Sequence, residues 1–211
     1  MLTPSSRSHN SALEYLAVLM SGVTIDDRRQ RDRTAQRLLI TLTARTIAER
    51  EGWAAVTTRR LSTEIEYSQP VIYKHFSSLD DLVEAVALDG FDELAAALES
   101  ARSDSAADVQ LAAVALAYLD YAAEHPALYD AMFTRSTSLR FGTDETPPPL
   151  AAAYAQLRAA IDSVSDPRDP ETLTEVLWSA LHGLVALSRA GRLRAGREAE
   201  RVELLARSLQ P

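Results

Sequence analysis

Residues 57–76 constrain the fold of this chain more than any other stretch, because their pattern predicts two short helices joined by a tight turn. Thr57 or Thr58 can cap the first helix by accepting hydrogen bonds from backbone N–H groups that would otherwise be unpaired. Leu61 and Ile65 lie four residues apart, so their side chains share one inward face. This half of the stretch therefore predicts a short helix with one apolar side.

The second half of the stretch predicts a helix whose outward face is polar and cationic. Ser68 or Gln69 can cap this helix, and Pro70 falls in its first turn, where a missing N–H costs little. The polar candidates for the outward face are Gln69, Lys74 and His75. Two crossed helices with such a second helix suit the width of a DNA major groove.

These residues resemble the DNA-binding head of the TetR family of bacterial transcription regulators, and the resemblance is clear from residue 34 to about residue 98. The matching positions are Ala48-Glu49, Gly52-Trp53, residues 56–61, Ser68, Tyr73, His75-Phe76 and residues 80–82. A helical hairpin in some unrelated bundle is the alternative. The resemblance implies a three-helix head that places its third helix in a groove of double-stranded DNA.

The resemblance also implies which side chains of the head contact DNA. Tyr73 and His75 are predicted to contact phosphates, and Thr58 and Arg59 to anchor the second helix to the DNA backbone. Arg33, in the basic run before the first helix, is a further predicted DNA-binding residue. The predicted contacts with base edges come from Ser68, Gln69 and Lys74. Of these, Gln69 has the best chemical match, because its amide can pair with the edge of adenine.

Three positions of the head depart from the family pattern. Glu66 stands in the turn where the family usually has Gly, and a positive φ there would store about 1 kcal/mol of strain or more. Pro70 replaces a small residue and removes one backbone N–H that could face a phosphate. Leu79 stands where a phosphate-contacting Lys is frequent. An alternative function is therefore a helical small-molecule-binding module with a degenerate head.

Composition predicts an all-α chain of about nine helices. Hydrophobic residues make up 46% of the sequence, whereas aromatic residues make up 6% and Gly occurs only seven times. Such a composition favours helices over sheets. The predicted organisation is an N-terminal extension over residues 1–31, a helix-turn-helix head over 32–78, and a helical ligand-binding and dimerisation body over 79–211.

The net charge of −8 is divided unevenly along the chain. Residues 28–74 contain ten Arg or Lys and five Asp or Glu, a net charge of +5, so the remainder carries −13. A basic head on an acidic body is expected of a protein that binds phosphate at one end only. The basic run of Arg28, Arg29, Arg31 and Arg33 is either a solvated linker or an arm that lies along DNA.

The N-terminal extension is rich in polar residues at its start, and residues 13–23 could form one short amphipathic helix. That helix could dock loosely on the body, contact DNA or stem from an early start codon. The first helix of the head is predicted from about Asp32 to Glu51. Gly52 is a natural stop, and Trp53 and Val56 are predicted to close the core of the head.

The body is predicted as a series of helices. A helix capped by Ser77 or Ser78 runs to about Ala101, and the others lie within residues 106–124, 126–133, 150–164, 171–191 and 198–209, with a loop over 135–149. Residues 121–133, together with Trp178, His182 and Gly183, resemble the WHG variety of TetR C-terminal domains. The helix from Glu171 is apolar around most of its circumference, so we expect it in a core or an interface.

That resemblance implies a homodimer that forms through the last two helices. Trp178 and His182 lie four residues apart on one helix face, so both either pack in the core or line an apolar effector cavity. The predicted ligand-binding residues are Phe91, Tyr118, Tyr121, Met132, Phe133, Trp178 and His182. The effector itself is expected to be small and mainly apolar, and Tyr154 could face the same space.

Several other function classes find no support in the sequence. The chain has no Cys, no G-x-S-x-G, no Gly-rich phosphate loop and no H-E-x-x-H, and its four His residues are scattered. We therefore predict no catalytic residues, no metal site and no cofactor. No apolar run approaches the length of about 18 residues that a membrane-spanning helix needs. The sequence predicts a cytoplasmic, ligand-responsive repressor that binds a palindromic operator as a dimer.

Overall fold

The computed structural model describes residues 25–135, 139–164 and 167–210, and over these residues it contains nine α-helices, one short 3-10 helix and no strand. The all-α prediction is confirmed. The α-helices are α1 (Ile25–Glu51), α2 (Thr58–Glu64), α3 (Gln69–His75), α4 (Leu79–Ser103), α5 (Gln110–Glu124), α6 (Pro126–Phe133), α7 (Pro148–Asp162), α8 (Pro170–Arg189) and α9 (Glu198–Ser208).

The chain divides into two compact units, one ending at Ile40 and the other running from Thr41 to Pro211. The described part of the first unit is the beginning of α1, which starts at Ile25 and not near Asp32 as expected. Asp26 and Asp27 lie in its first turn, where the helix dipole favours a negative charge. The amphipathic helix expected over residues 13–23 lies outside the described residues.

The head within the second unit is held by a small apolar core. Leu61 of α2, Ile72 of α3 and Phe76 are each at most 2% exposed. Trp53 of the 3-10 helix (Trp53–Ala55) and Val56 are also buried, as expected of residues that close this core. Apolar side chains from three short segments therefore hold α2 and α3 against each other.

Side-chain caps fix where the helices of the head begin. Of the two threonines that could cap α2, the structure uses Thr57, whose hydroxyl accepts a hydrogen bond from the backbone N–H of Arg60 at 3.1 Å. Ser78 likewise accepts from the N–H of Asp81 at 3.0 Å, and the Asp81 carboxylate accepts from the N–H of Ser77 at 2.7 Å. This reciprocal pair of bonds defines the start of α4.

Helix α4 is the central helix of the body, and it packs against α5, α6 and α7. Its buried side includes Leu82, Val86, Phe91, Leu94 and Leu98. Gly90 allows α6 to approach closely, because a Cβ atom at this position would lie only 2.8 Å from Leu128 Cδ1 and Met132 Sδ. The absence of a side chain at Gly90 thus fixes the distance between α4 and α6.

Helix α8 has two apolar sides. Leu173, Leu177, Leu181 and Val185 are buried within the chain, whereas Val176 on the opposite side is 48% exposed. The outward side continues through the half-buried Ala180 and Gly183 to the exposed Leu187, at the spacing of successive helical turns. We call these four residues (176, 180, 183 and 187) the outer stripe of α8. None of the helices in the described residues is long and apolar enough to span a bilayer.

Candidate DNA interface and ligand cavity

The outward face of α3 carries most of the predicted base-reading side chains. Gln69 and Lys74 are exposed, and Tyr73 is 54% exposed. Since Ile72 is buried between them, Gln69 and Tyr73 are held one turn apart on the same outward side. Ser68, at the N-cap position, is exposed beside them, although its side chain makes no capping hydrogen bond. The fold therefore presents one short row of polar and aromatic groups.

The other predicted DNA-binding residues of the head differ in how exposed they are. Arg59 on α2 is exposed and has no carboxylate partner within residues 25–135, 139–164 and 167–210. The adjacent Arg60 instead lies 3.2 Å from a carboxylate oxygen of Glu51 and 3.6 Å from one of Glu64. Of these two arginines, Arg59 is thus the one left to meet a phosphate. Thr58 is half-buried, as is His75 at the end of α3.

Arg33 lies on the part of α1 that belongs to the N-terminal unit, and it is exposed. Residues 26–35 of this helix are all exposed, and they include Arg28, Arg29 and Arg31 as well as Asp32. Arg29 lies 3.5 Å from Asp26 one turn earlier, which supports the helix but adds little stability at an exposed site. The basic run is therefore helical, and its contact with DNA stays a prediction.

The turn between α2 and α3 contains the one non-glycine residue of the described chain with positive φ. Glu66 has φ of 56°, so the left-handed conformation that the sequence suggested for this position is present. A side chain with a Cβ atom costs about 1–2 kcal/mol in that region. The turn keeps its helix-turn-helix geometry at the expense of local strain.

Replacing Glu66 by Gly is expected to raise the free energy of unfolding by up to about 1 kcal/mol, because the strain is relieved while glycine gains some freedom in the unfolded chain. Chemical denaturation of the E66G protein would measure this change. The matched control is E66Q, which loses the charge but keeps the Cβ atom. If E66Q were stabilised as much as E66G, the effect would come from charge and not from the backbone.

A cavity of about 280 Å3 lies in the body among α4, α5, α6, α7, α8 and the loop that precedes α7. The described residues that line it are Phe91, Leu94, Tyr118, Met132, Phe133, Arg135, Leu139, Phe141, Leu150, Ala153, Tyr154, Leu157 and Trp178. Its volume is just below the range of about 300–1,000 Å3 that is typical of small-molecule sites, and its wall is mostly apolar.

The structure brings five of the seven predicted ligand-binding residues to the wall of this cavity, and Tyr154 joins them. The five are Phe91, Tyr118, Met132, Phe133 and Trp178. The other two are not among its lining residues. Tyr121 is buried, and its hydroxyl donates to the backbone oxygen of Gly90 at 2.8 Å. His182 is hydrogen-bonded to Tyr129, and its ring lies 5.3 Å from that of the lining residue Phe133.

A buried chain of hydrogen bonds joins the cavity wall to α8. The hydroxyl groups of Tyr118 and Tyr129 are 2.9 Å apart, and the Tyr129 hydroxyl is 2.7 Å from His182 Nδ1. Burial raises the pKa of Tyr118 to about 12, and it also raises the pKa of Tyr129. Burial lowers the pKa of His182. All three groups are therefore neutral near pH 7, and each hydroxyl can both donate and accept.

The lowered pKa of His182 predicts a pH dependence of stability. The unfolded chain binds a proton at this residue more readily than the folded chain does, so stability should fall as the pH drops below the unfolded value of about 6.5. In the H182Q protein, the amide can still bond Tyr129 but does not titrate. We expect wild type to lose more stability than H182Q between about pH 7.5 and about pH 5.5 in denaturation experiments. Parallel pH profiles would contradict this prediction.

Helix α6 connects the cavity to the head. At its N-terminus, the Glu49 carboxylate of α1 accepts hydrogen bonds from the backbone N–H groups of Ala127 and Leu128, at 3.0 and 2.9 Å. Trp53 Nε1 donates to the backbone oxygen of Ala127 at 2.8 Å. At the other end of α6, Met132 and Phe133 line the cavity. An eight-residue helix therefore touches both regions.

The sequence did not identify seven of the described lining residues, and three of these come from the segment interpreted only as a loop. Arg135, Leu139 and Phe141 lie between α6 and α7, and Phe141 packs against Trp178 with ring centroids 4.9 Å apart. The signal available in the sequence was Phe141 itself, a lone aromatic in an otherwise polar stretch. Its partner could not be identified from spacing.

Comparison with known proteins finds family matches for both the head and the body of the chain. A family model described as "Bacterial regulatory proteins, tetR family" matches residues 40–86, and one described as "Tetracyclin repressor-like, C-terminal domain" matches residues 111–210. An HTH-type transcriptional regulator of Mycobacterium tuberculosis is 34% identical over 151 residues, which cover 70% of this chain and 67% of that protein.

Solved structures with the same fold include two that each cover about four fifths of this chain. A Rhodococcus sp. RHA1 protein of unknown function matches with a TM-score of 0.66 and 25% identity, covering 82% of this chain and 92% of its own. BioQ, solved with its natural double-stranded DNA operator, matches with a TM-score of 0.57 and 21% identity, covering 81% of this chain and 95% of its own. At that identity the likeness to BioQ concerns the fold alone.

Proposed function

Since the chain belongs to the TetR family of DNA-binding transcription regulators, we propose that it is a ligand-responsive repressor that binds a palindromic operator as a homodimer. In this proposal the protein acts by binding and not by catalysis, in the cytoplasm, and takes up a small, mainly apolar effector. The observation that carries the proposal is the outward row of Gln69, Tyr73 and Lys74 above the buried Ile72.

The row on α3 has the chemistry that reading of a major groove requires. Gln69 lies in the first turn, where its amide can reach a base edge and distinguish adenine. Tyr73 and Lys74 follow one turn later and can meet phosphate oxygens or bases. Arg59 on α2, which has no carboxylate partner in the described part of the chain, would neutralise a phosphate beside them.

The dimer is proposed to form through the outer stripe of α8 and the exposed side of α9. Val176 and Leu187 of the stripe are 48% and 41% exposed, and Leu204 of α9 is 64% exposed. A Cβ atom built at Gly183 would meet nothing within 4 Å, so a partner helix could approach the stripe closely there. A two-fold axis at this seam would place two copies of α3 about 34–36 Å apart, in successive major grooves.

The proposed response to an effector passes through α6. A molecule that enters the cavity contacts Met132 and Phe133, and the opposite end of the same helix is bonded to Glu49 and Trp53. A shift of α6 or α4 would change the separation of the two heads. Effector can drive this change only to the extent that it binds one arrangement more tightly than the other.

A footprinting experiment on the intergenic DNA beside the gene tests the proposal. The wild-type protein should protect two symmetric half-sites, with one helical turn between their centres. Gln69→Ala should relax base preference at one position of each half-site by about 1–3 kcal/mol. The control, Gln210→Ala, alters an exposed glutamine of the body and should leave the footprint unchanged. If no site were protected, or if scrambled DNA were protected equally, the proposal would fail.

A further inference from the structure

Arg135 is the one charged residue among the described residues that line the cavity. Six of the lining residues are aromatic: Phe91, Tyr118, Phe133, Phe141, Tyr154 and Trp178. A single guanidinium group at the edge of an aromatic cavity provides one site for an anionic group beside a surface suited to planar rings.

Within the described residues, the recorded side-chain contact of the Arg135 guanidinium group is made through its face. Its Cζ atom lies 5.4 Å from the centre of the Trp53 ring, which is a cation–π distance. No carboxylate pairs with Arg135 in residues 25–135, 139–164 or 167–210. Because guanidinium stacks through its face and forms paired hydrogen bonds through its edge, the edge can still bind a carboxylate.

None of the described lining residues carries a carboxylate that could bind a cationic ligand in the same way. The Glu171 carboxylate is not among the lining groups, but its Oε2 accepts a hydrogen bond from the hydroxyl of the lining residue Tyr154 at 3.1 Å. Its Oε1 lies 2.8 Å from Arg158 Nε, and Arg158 also pairs with Asp162, so Glu171 shares this guanidinium with a second carboxylate. Among the described lining residues, the one charge is therefore the positive charge of Arg135, which favours a negative group on the ligand over a positive one.

We propose that the effector is an organic anion with a flat, largely apolar ring system, whose carboxylate is bound by Arg135 while its rings lie among the aromatic side chains. This inference rests on the proposed function, since it names the ligand class of the same cavity. A carboxylate on the edge of Arg135 would also hold the guanidinium face against Trp53. Trp53 donates to the backbone of α6 through its indole N–H, so the anion would add a contact between the cavity and the head.

Calorimetric titration with three matched probes tests the ligand class: 2-naphthoate, 2-naphthamide and 2-naphthylmethylammonium. They share the ring system and differ in charge. The wild-type protein should bind naphthoate about ten-fold or more tightly than naphthamide, as expected for a hydrogen-bonded charge pair, and should bind the cation most weakly. The Arg135→Gln variant should lose this preference, and Arg135→Lys should keep part of it, because lysine retains the charge but not the planar fork.

The control is Arg140→Gln, which removes the same charge from an exposed position of the same loop that does not line the cavity. This variant should keep the wild-type preference. Equal affinity for the acid and the amide, an unchanged preference in Arg135→Gln, or no naphthoate binding up to about 1 mM would overturn the inference. Operator binding is measured on the same preparations: if it is absent, the proposed function fails, whereas specific operator binding with no preference for the acid rejects the ligand class alone.

Discussion

Replacing Leu187 by Arg is expected to convert the protein to a monomer and to abolish tight operator binding. Leu187 lies on the outer stripe of α8, on the side opposite the buried Leu181 and Val185. In a two-fold dimer, each copy would place an unpaired charge in an apolar seam, at a cost of about 3–5 kcal/mol or more. Every 1.4 kcal/mol changes an equilibrium constant by a factor of about ten, so the dissociation constant of the dimer should rise by at least about a hundred-fold.

Sedimentation velocity measures the oligomeric state of this variant, and operator titration measures its binding. The control is Val109→Arg, because Val109 is 49% exposed but lies before α5 and outside the stripe. It should remain a dimer and bind operator normally. A dimeric Leu187→Arg protein with wild-type operator affinity would place the subunit contact elsewhere on the molecule.

Replacing Glu49 by Ala should have the second largest effect, because one carboxylate caps the N-terminus of α6 from within the head. The substitution leaves the N–H groups of Ala127 and Leu128 without their acceptors, which costs about 1–3 kcal/mol for a partly buried, charge-assisted pair. The Trp53–Ala127 hydrogen bond then remains between the same two regions. We expect lower stability together with weaker coupling between the cavity and DNA binding.

The measurement has two parts. Chemical denaturation gives the stability, and titration of operator with and without a cavity-binding probe gives the coupling. Glu124→Ala is the control, since Glu124 is an exposed carboxylate near the end of α5 and should change neither quantity. If Glu49→Ala were as stable and as strongly coupled as the wild type, α6 would not be the connecting element.

The all-α fold class and most helix positions follow from the sequence, because the capping residues, the prolines and the apolar spacing indicate the same helices. Ser78 caps one helix with its hydroxyl, and Pro126 occupies the first turn of another, where a proline is tolerated. The start of α1 was missed because residues 25–31 carry no apolar period. Arg28 and Arg29 have good helical propensity, so they can extend a helix even where no apolar period marks it in the sequence.

The candidate site was predictable to a smaller extent. The conformation of Glu66 could be anticipated, since a turn that usually holds Gly imposes its φ on whatever residue replaces it. Trp178 could be placed beside aromatic neighbours by the family resemblance. The roles of Glu49 and Arg135 could not be inferred, because each depends on a contact between segments about eighty residues apart in sequence, Glu49 with Ala127 and Arg135 with Trp53. Contacts at that separation arise from tertiary packing.

The central claim is that paired α3 helices read a specific operator, and a salt titration tests it most directly. The wild-type protein is titrated onto duplex DNA from beside its gene and onto a scrambled duplex of equal length. We predict that affinity for the natural duplex falls by about three orders of magnitude or more between about 50 and about 200 mM salt, as phosphate contacts release counterions. We also predict a preference of at least about a thousand-fold over the scrambled duplex. Equal affinity for the two duplexes at every salt concentration would contradict the account.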